Sequence, residues 1–514
     1  MQTRQTATHV QLFEKVLKAY DIAIDAETGI QTTFAEMEEN SIRCALWMQK
    51  QGIGDGDVVT IITHNQLDAY IPCIASFIVG AIYNPWHHEV SMKTARYLMN
   101  MTRPKVIFAC ESALDVMKES SDMEKVPARI IVFGKAAGFE SLNDIMKLQT
   151  KHEIKNFEPQ PISNLDGIAM ILFSSGTTGM PKGVAHSHKA LLRVVTDFVI
   201  VPSRSSTSLW YSPLYWISGT ICMLRSIITR CTRILHTDFD PEETCRIIEK
   251  YQVNWFFIIP TMCAHLSKSK VLSRYQCQSL EYLITGGSKQ SREVLEDLRN
   301  SLTHTFILQA YGMTEIGGAI TAPTRKSKNI ESVGVVVPNT QIKIVDLVDG
   351  KTLGPDQEGE ICAKSPTMMV CYYKNPTATR DTIDHEGWIH TGDKGYYTSN
   401  GELFIIDRLK EVMIFRGHRI SPSEIEDLLM THPAIMEVAV VPVPHDVDVE
   451  HPMAFVKKCV GGEVTEEELV KLSSQLGEYK KLRAGVEFID SVPHTATGKI
   501  DRKTLREMAK AYIR

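Results

Sequence analysis

The chain has 514 residues, 43% hydrophobic and 23% charged, enough to bury two or three domain-sized cores. Its 56 basic and 61 acidic side chains give a net charge of −5, and residues 411–514 alone hold 14 basic and 17 acidic ones. That balance excludes a nucleic-acid-coating protein or a polybasic membrane binder, but not a pocket that grips an anion with two or three cations. The eleven cysteines stand singly without a Cys-x-x-Cys pair, the pattern of reduced, mostly buried thiols in an intracellular, cytoplasmic protein. The first residues lack the apolar segment of a secretory signal, and Tyr512-Ile513-Arg514 is no peroxisomal address. The longest apolar stretch, Tyr70 to Tyr83, is too short for a bilayer and contains Pro72, so a soluble chain without a transmembrane segment is expected.

In chain order, Val58–Ile62, Val106–Ala109, Ile130–Phe133, Ile168–Phe173 and Trp255–Ile259 read as apolar strands buried on both faces. Helical periodicities lie between them, such as Pro241 to Tyr251 with Ile247 and Ile248 on one side. This alternation predicts a layered, largely parallel α/β architecture. From about Val337 the pattern changes to polar–apolar alternation, at Gln341–Asp346 and Gly359–Ala363, which predicts a small antiparallel β-rich subdomain. A strand within Gly401–Lys410 ends in charge. A compact α+β segment follows, with a helix at Pro422–Met430, a strand at Glu437–Val441, a helix at Thr465–Leu476 and a basic final helix from Arg502. The expected division is a large domain over 1–407, a hinge at 408–410 and a small mobile domain over 411–514.

The strongest chemical signal is Ser174-Ser-Gly-Thr-Thr-Gly-Met-Pro-Lys-Gly183, directly after the strand ending at Phe173. Glycines let backbone N–H groups approach an anion, hydroxyls add donors, and Lys182 adds charge. The spacing and Pro181 depart from a Walker A loop. The segment resembles the phosphate loop of the adenylate-forming superfamily: acyl-CoA synthetases, coumarate-CoA ligases, luciferases and peptide-synthetase adenylation domains. Further matching segments follow in order: Thr285-Gly-Gly-Ser288, Gln309-Ala-Tyr-Gly-Met-Thr-Glu315, Gly387-Trp-Ile-His-Thr-Gly-Asp393, Asp407-Arg-Leu-Lys410 and Thr495-Ala-Thr-Gly-Lys-Ile-Asp-Arg-Lys503. Together they extend the resemblance from about residue 170 to 503.

The resemblance implies roles residue by residue. Ser174, Ser175, Gly176, Thr177, Thr178, Gly179 and Lys182 would hold the β- and γ-phosphates of ATP. Thr314 and Glu315 would act in catalysis, Glu315 positioning Mg²⁺, a hard cation that takes oxygen ligands. Tyr311, beside Gln309 and Gly312, would stack on adenine, with Gly287 and Ser288 on its other side. Asp393, read as lying in a polar turn, would accept both ribose hydroxyls, since one carboxylate has acceptor sites enough. Arg408 would contact ribose and phosphate. Lys499 would bridge the acid and the α-phosphate, stabilising charge that develops in the transition state. Lys410 would be the hinge about which the small domain turns to bring Arg416-Gly-His-Arg419 to the cleft, where Gly417 admits a pantetheine thiol and Arg416, His418 and Arg419 meet the phosphates of coenzyme A.

Three departures narrow the substrate. Ile414 stands where luciferases and coumarate-type ligases carry a lysine, which weighs against light emission. Tyr215 and Trp216 replace a histidine pair of luciferase, and Trp216 reads either as a gate on the acyl tunnel or as a packed core residue. Tyr311 precedes Gly312 where acetate-specific enzymes place a tryptophan that closes the pocket, so a more open apolar pocket is expected. The combined expectation is an ATP-, Mg²⁺- and coenzyme A-dependent acyl-CoA synthetase acting on a small-molecule hydrophobic carboxylic acid, a medium- or long-chain fatty acid of lipid metabolism. The alternatives are an aryl (coumarate-type) ligase, a luciferase-like oxygenase, a domain feeding a carrier protein, and a non-catalytic binder.

Overall fold

The computed structural model of the chain describes residues 22–159, 161–174, 180–196, 206–325, 327, 329–496 and 498–512. Among these residues the backbone lays down four sheets. In the eight-stranded one, Val58–Ile62, Ile82–Trp86, Val106–Ala109 and Arg129–Val132 run parallel. Alternate residues feed two cores, Val59, Ile61, Val106 and Phe108 on one side and Ile62, Ile107 and Ala109 on the other, which is why these strands are continuously apolar. The nine-stranded sheet has the parallel series Thr207–Trp210, Trp255–Ile258, Tyr282–Gly286 and Phe306–Met313. Trp210, Trp255, Ile284 and Leu308 of that series enter the same core as Val59 and Phe108, so the two sheets are layers of one body.

Gln341–Val345, Gly359–Lys364, Ile389–Tyr397 and Leu403–Arg408 form the expected antiparallel unit. The turn expected around Asp393 is instead the middle of the strand Ile389–Tyr397, with Asp393 directly opposite Arg408. The Gly-Asp pair reads locally as a turn, but its partner strand, which sets the conformation, lies beyond the local window.

Beyond Arg408 comes a small α+β domain. A hairpin of Met413–Phe415 and His418–Ile420 leads to helix Pro422–Met430, then to the long antiparallel pair Ile435–His445 and Val449–Lys458. The strand expected at Glu437–Val441 is longer because its pairing runs on through Pro442 and Pro444, residues that suggest an end from sequence alone. The helix expected over Thr465–Leu476 is α-helical only at Glu466–Ser473, where Thr465 and Glu468 form a reciprocal capping box, and closes in a 3₁₀ turn to Leu476.

The small domain is seated on the large one. Cys263, Leu266, Val294 and Leu298 of the large domain share one apolar cluster with Ile425, Leu429, Ile435 and Val438 of the small one. Polar pairs rim it: His265 Nε2 to Glu437 Oε1 at 3.1 Å and Lys289 Nζ to Asp427 Oδ2 at 2.7 Å. Near the junction Arg502 holds Glu411 at 2.8 Å and Glu426 at 2.6 Å, while Asp407 accepts hydrogen bonds from Ser421 and Ser423 at the start of helix Pro422–Met430. Among the described residues no helix is long and apolar enough to cross a membrane.

Candidate active site

Parallel strands end with their carboxyl termini at a common crevice, the usual ligand position in open α/β sheets. Here a cavity of about 1440 Å³ opens between the two domains. Trp86, Phe173 and Ser174 reach it from one sheet and Trp210, Gly286, Gly287 and Tyr311 to Glu315 from the other, while Arg408, Lys410 and Lys499 come from the junction and the small domain. Most of the sequence-predicted groups therefore converge. Trp210, Trp255, Phe257, Ile217, Ile221 and Ile284 make one wall apolar.

Asp393 anchors the side expected from the sequence to take the nucleotide. It is 5% exposed and sits just behind the wall, accepting from Tyr311 Oη at 2.7 Å and forming an ion pair with Arg408, whose Nε stands 3.0 Å from Oδ1. Strand pairing dictates this, because residues directly opposite on antiparallel strands project to one face. Burial and the Asp393 carboxylate push the Tyr311 phenol well above its ordinary value, so it stays a donor, and Asp393 holds the Arg408 guanidinium up. Gly312 lies where the returning strand Gly318–Ala322 passes close: a Cβ there would stand 2.1 Å from the Gly318 carbonyl oxygen. Gln309 is buried in strand Phe306–Met313, opposite Thr285 and off the cleft wall, and among the described residues its Oε1 has no hydrogen-bond partner. Gly287 lines the cleft with φ +109°, and Ser288 beside it is exposed and off the wall.

On the side expected to take phosphate, Ser174 and Lys182 face each other as a cross-strand pair of the antiparallel strands Ile168–Ser174 and Lys182–Ser187. Ser175, Gly176, Thr177, Thr178 and Gly179 lie outside the described residues. Lys182 Nζ stands 4.8 Å from the centroid of the Tyr372 ring, and Tyr372 Oη donates to Glu315 Oε1 at 2.8 Å. Glu315 is 7% exposed, and among the described residues only Tyr372 hydrogen-bonds its carboxylate, through Oε1. His186 Nε2 donates to the Thr314 carbonyl at 2.9 Å; burial lowers its pKa to about 4, so it serves as a neutral prop. Neither His186 nor Tyr372 announces itself in sequence, because their partners lie 128 and 57 residues away.

The small domain presents Lys499 to this cleft. Burial and the Arg408 guanidinium hold its ammonium below the ordinary lysine value of 10.5, against the pull of Asp393, Glu315 and Glu411. Among the described residues it makes no ion pair. Trp216, half-buried on the cleft wall, donates its Nε1–H to the Ala496 carbonyl at 2.8 Å. Arg416 and Gly417 are not brought here. They form the two-residue tip of the hairpin Met413–Ile420, with φ +46° and +82°, the signature of a type I′ turn. Arg416 is 65% exposed and its Nε meets Asp448 Oδ1 at 2.5 Å, away from the cleft wall.

Residues 14–373 match the family model of the AMP-binding enzymes, and residues 424–499 match that of the AMP-binding enzyme C-terminal domain. The chain belongs to this family. It is 31% identical over 503 residues to luciferin 4-monooxygenase of Nipponoluciola cruciata, covering 95% of this chain and 91% of that one. It is also 31% identical to 4-coumarate-CoA ligase 1 of Narcissus pseudonarcissus, over 94% of this chain and 90% of that one. The structure superposes on ATP-bound MatB from Rhodopseudomonas palustris with a TM-score of 0.88, at 25% identity and covering 99% of both chains. The α/β layers, the β-rich unit and the small C-terminal domain are thus the architecture of an adenylate-forming AMP-binding enzyme.

Within this AMP-binding enzyme, sequence reasoning also missed Arg502, whose side chain ties the junction residue Glu411 to the small-domain core. Trp216 is not a packed core residue, one of its two readings from sequence. Its ring lines the cleft, and its N–H is engaged by the other domain.

Proposed function

We propose that this AMP-binding enzyme is an acid–thiol ligase that activates a hydrophobic carboxylate, a medium- or long-chain fatty acid, as its acyl-adenylate and passes the acyl group to coenzyme A. The observation that carries the reading is the convergence, on one cleft with an apolar wall, of Lys499 from the small domain with Arg408, Tyr311 and Asp393 from the large one. In the first step a carboxylate oxygen attacks the α-phosphorus of ATP and the bond to the β-phosphate oxygen breaks, releasing pyrophosphate. Charge accumulates between two anions at that moment, so a positioned cation lowers the barrier. Lys499 fills this role, Asp393 takes the ribose hydroxyls, Arg408 the ribose and α-phosphate, and Ser174 and Lys182 the outer phosphates. The donors around Glu315 fit Mg²⁺, which accepts one carboxylate and otherwise keeps water and phosphate oxygens; the ion would neutralise phosphate charge.

In the second step the thiolate sulfur of coenzyme A attacks the acyl carbon and AMP leaves. We place the hinge for the required rotation at 408–410, dividing 1–407 from 411–514, with Arg416 and Gly417 arriving at the cleft in place of Lys499. An aryl-CoA ligase is the second reading, favoured by the aromatic share of the wall (Trp210, Tyr215, Trp255 and Phe257) and by the resemblance to the Narcissus ligase. A panel of aliphatic and aryl acids with ATP, Mg²⁺ and coenzyme A, followed as AMP release, tests both. Turnover of dodecanoate above 4-coumarate supports the first reading, and the reverse order replaces it with the second.

A further inference from the structure

If one cleft serves two steps, as proposed above, Lys499 must be held in place for the first and let go for the second. The large contacts between the domains, Lys289 with Asp427 and His265 with Glu437, seat the body of the small domain but do not touch the lysine loop. Trp216 does. Its backbone is fixed at the start of helix Ile217–Thr229, with its N–H on the Pro213 carbonyl at 3.0 Å and its own carbonyl accepting from Thr220 at 3.1 Å. The turn beneath is packed so tightly that a Cβ on Gly219 would stand 2.0 Å from the Pro213 oxygen.

From that platform the indole grips the loop in two ways. Nε1 donates to the Ala496 carbonyl at 2.8 Å, across 280 residues of sequence. The edge of the ring and Ile259 form a seat for Gly498, where an added Cβ would meet Ile259 Cδ1 at 2.7 Å and Trp216 Cη2 at 3.0 Å. The loop transmits this grip because it is closed on itself: Thr495 N–H donates to the Lys499 carbonyl at 2.7 Å and Gly498 N–H to the Thr495 carbonyl at 2.9 Å. Fixing Ala496 and Gly498 therefore fixes the backbone from which the Lys499 side chain extends.

We propose that Trp216 is a positioning residue for adenylation, a clasp that docks the Lys499 loop through Ala496 and Gly498 and must release it before thioester formation. This rests on the two-step reading above. It predicts an asymmetric defect, because a clasp matters only while Lys499 is in use.

The test uses the full-length enzyme with dodecanoate and 4-coumarate as probe acids. Labelled pyrophosphate exchange into ATP reports the first step, and coenzyme A consumption of preformed dodecanoyl- or coumaroyl-adenylate reports the second. Trp216→Phe keeps an aromatic ring but removes the donor, and should lower the exchange kcat about tenfold, the scale of one well-placed hydrogen bond to a catalytic loop. Thioester formation from the preformed adenylate should stay within about twofold of wild type, which also shows that the variant is folded. Gly498→Ala should reproduce the split. The double variant should fall little below the worse single, because both lesions break one contact. Equal loss in both half-reactions, or unchanged exchange, would overturn the clasp. Wild-type enzyme that exchanges pyrophosphate with neither these acids nor any other would instead overturn the functional reading on which it rests.

Discussion

The small domain carries two loops built alike and placed unlike. Each has a glycine with positive φ beside a cation: Gly498 (+72°) before Lys499, and Gly417 (+82°) after Arg416. Around Gly498 the large domain leaves no room for a Cβ, whereas around Gly417 nothing among the described residues lies within 4 Å. Lys499 faces the cleft and is desolvated there, while Arg416 is largely exposed and neutralised by Asp448. One glycine is thus demanded by its surroundings as well as by its backbone, the other by its backbone alone. The structure places one loop at the cleft and the other away from it, so under the proposed two-step function the two should fail in different half-reactions.

The largest effect should come from Lys499→Ala. Removing a preorganised charge of this kind costs about two to three orders of magnitude, so pyrophosphate exchange should drop by that much while added acyl-adenylate is still consumed with coenzyme A. Equal loss of both steps would erase the distinction between the loops. Next, Gly417→Leu should leave exchange within about twofold of wild type, since its side chain meets nothing in this arrangement, yet impair thioester formation about tenfold or more by strain at a left-handed position and by blocking thiol approach. Loss of exchange in that variant would show that the hairpin tip also acts in the first step.

The pH dependence sharpens the contrast. Burial and Arg408 lower the Lys499 pKa, with Asp393, Glu315 and Glu411 opposing. Its ammonium is therefore lost as pH rises through a value below 10.5, and exchange should fall on an alkaline limb that the second half-reaction does not share. Lys499→Arg, which keeps its charge, should move that limb beyond the measurable range at whatever lower rate it supports. The folding contribution runs the other way: burying this cation disfavours its charged form, a cost present in full below the lowered folded-state value, fading as pH rises from there and gone above the ordinary lysine value of 10.5. The smallest effect belongs to Asp448→Asn. Arg416 and His451 together hold the Asp448 carboxyl down at about 2, so it is ionised at any working pH. Weakening its pairing with Arg416 should change KM for coenzyme A about two- to threefold and leave exchange untouched, as measured by steady-state titration.

Much of this comparison was legible in the sequence because it is written locally. The strands Val58–Ile62 and Val106–Ala109 are continuous apolar runs, and helix Pro241–Tyr251 opens with Asp240 as cap and Pro241 at its first position, both short-range signals. The phosphate segment and the Thr-Gly-Lys segment are equally local in composition. What escaped depends on pairing over distance. Asp393 reads as a turn residue until Arg408 is placed opposite it. Tyr372 acquires its purpose only through Glu315 and Lys182, and Arg502 only through Glu411 and Glu426. Trp216 was visible as an oddity next to Tyr215, but its partner Ala496 belongs to the other domain.

The most direct measurement is pyrophosphate–ATP exchange by the wild-type enzyme without coenzyme A, across a graded panel of apolar acids. The arrangement of Lys499 against Arg408 and Asp393 predicts acid-dependent exchange under those conditions, with stoichiometric AMP release only once coenzyme A is added. Absence of exchange with every acid, or exchange that requires coenzyme A from the outset, would contradict it.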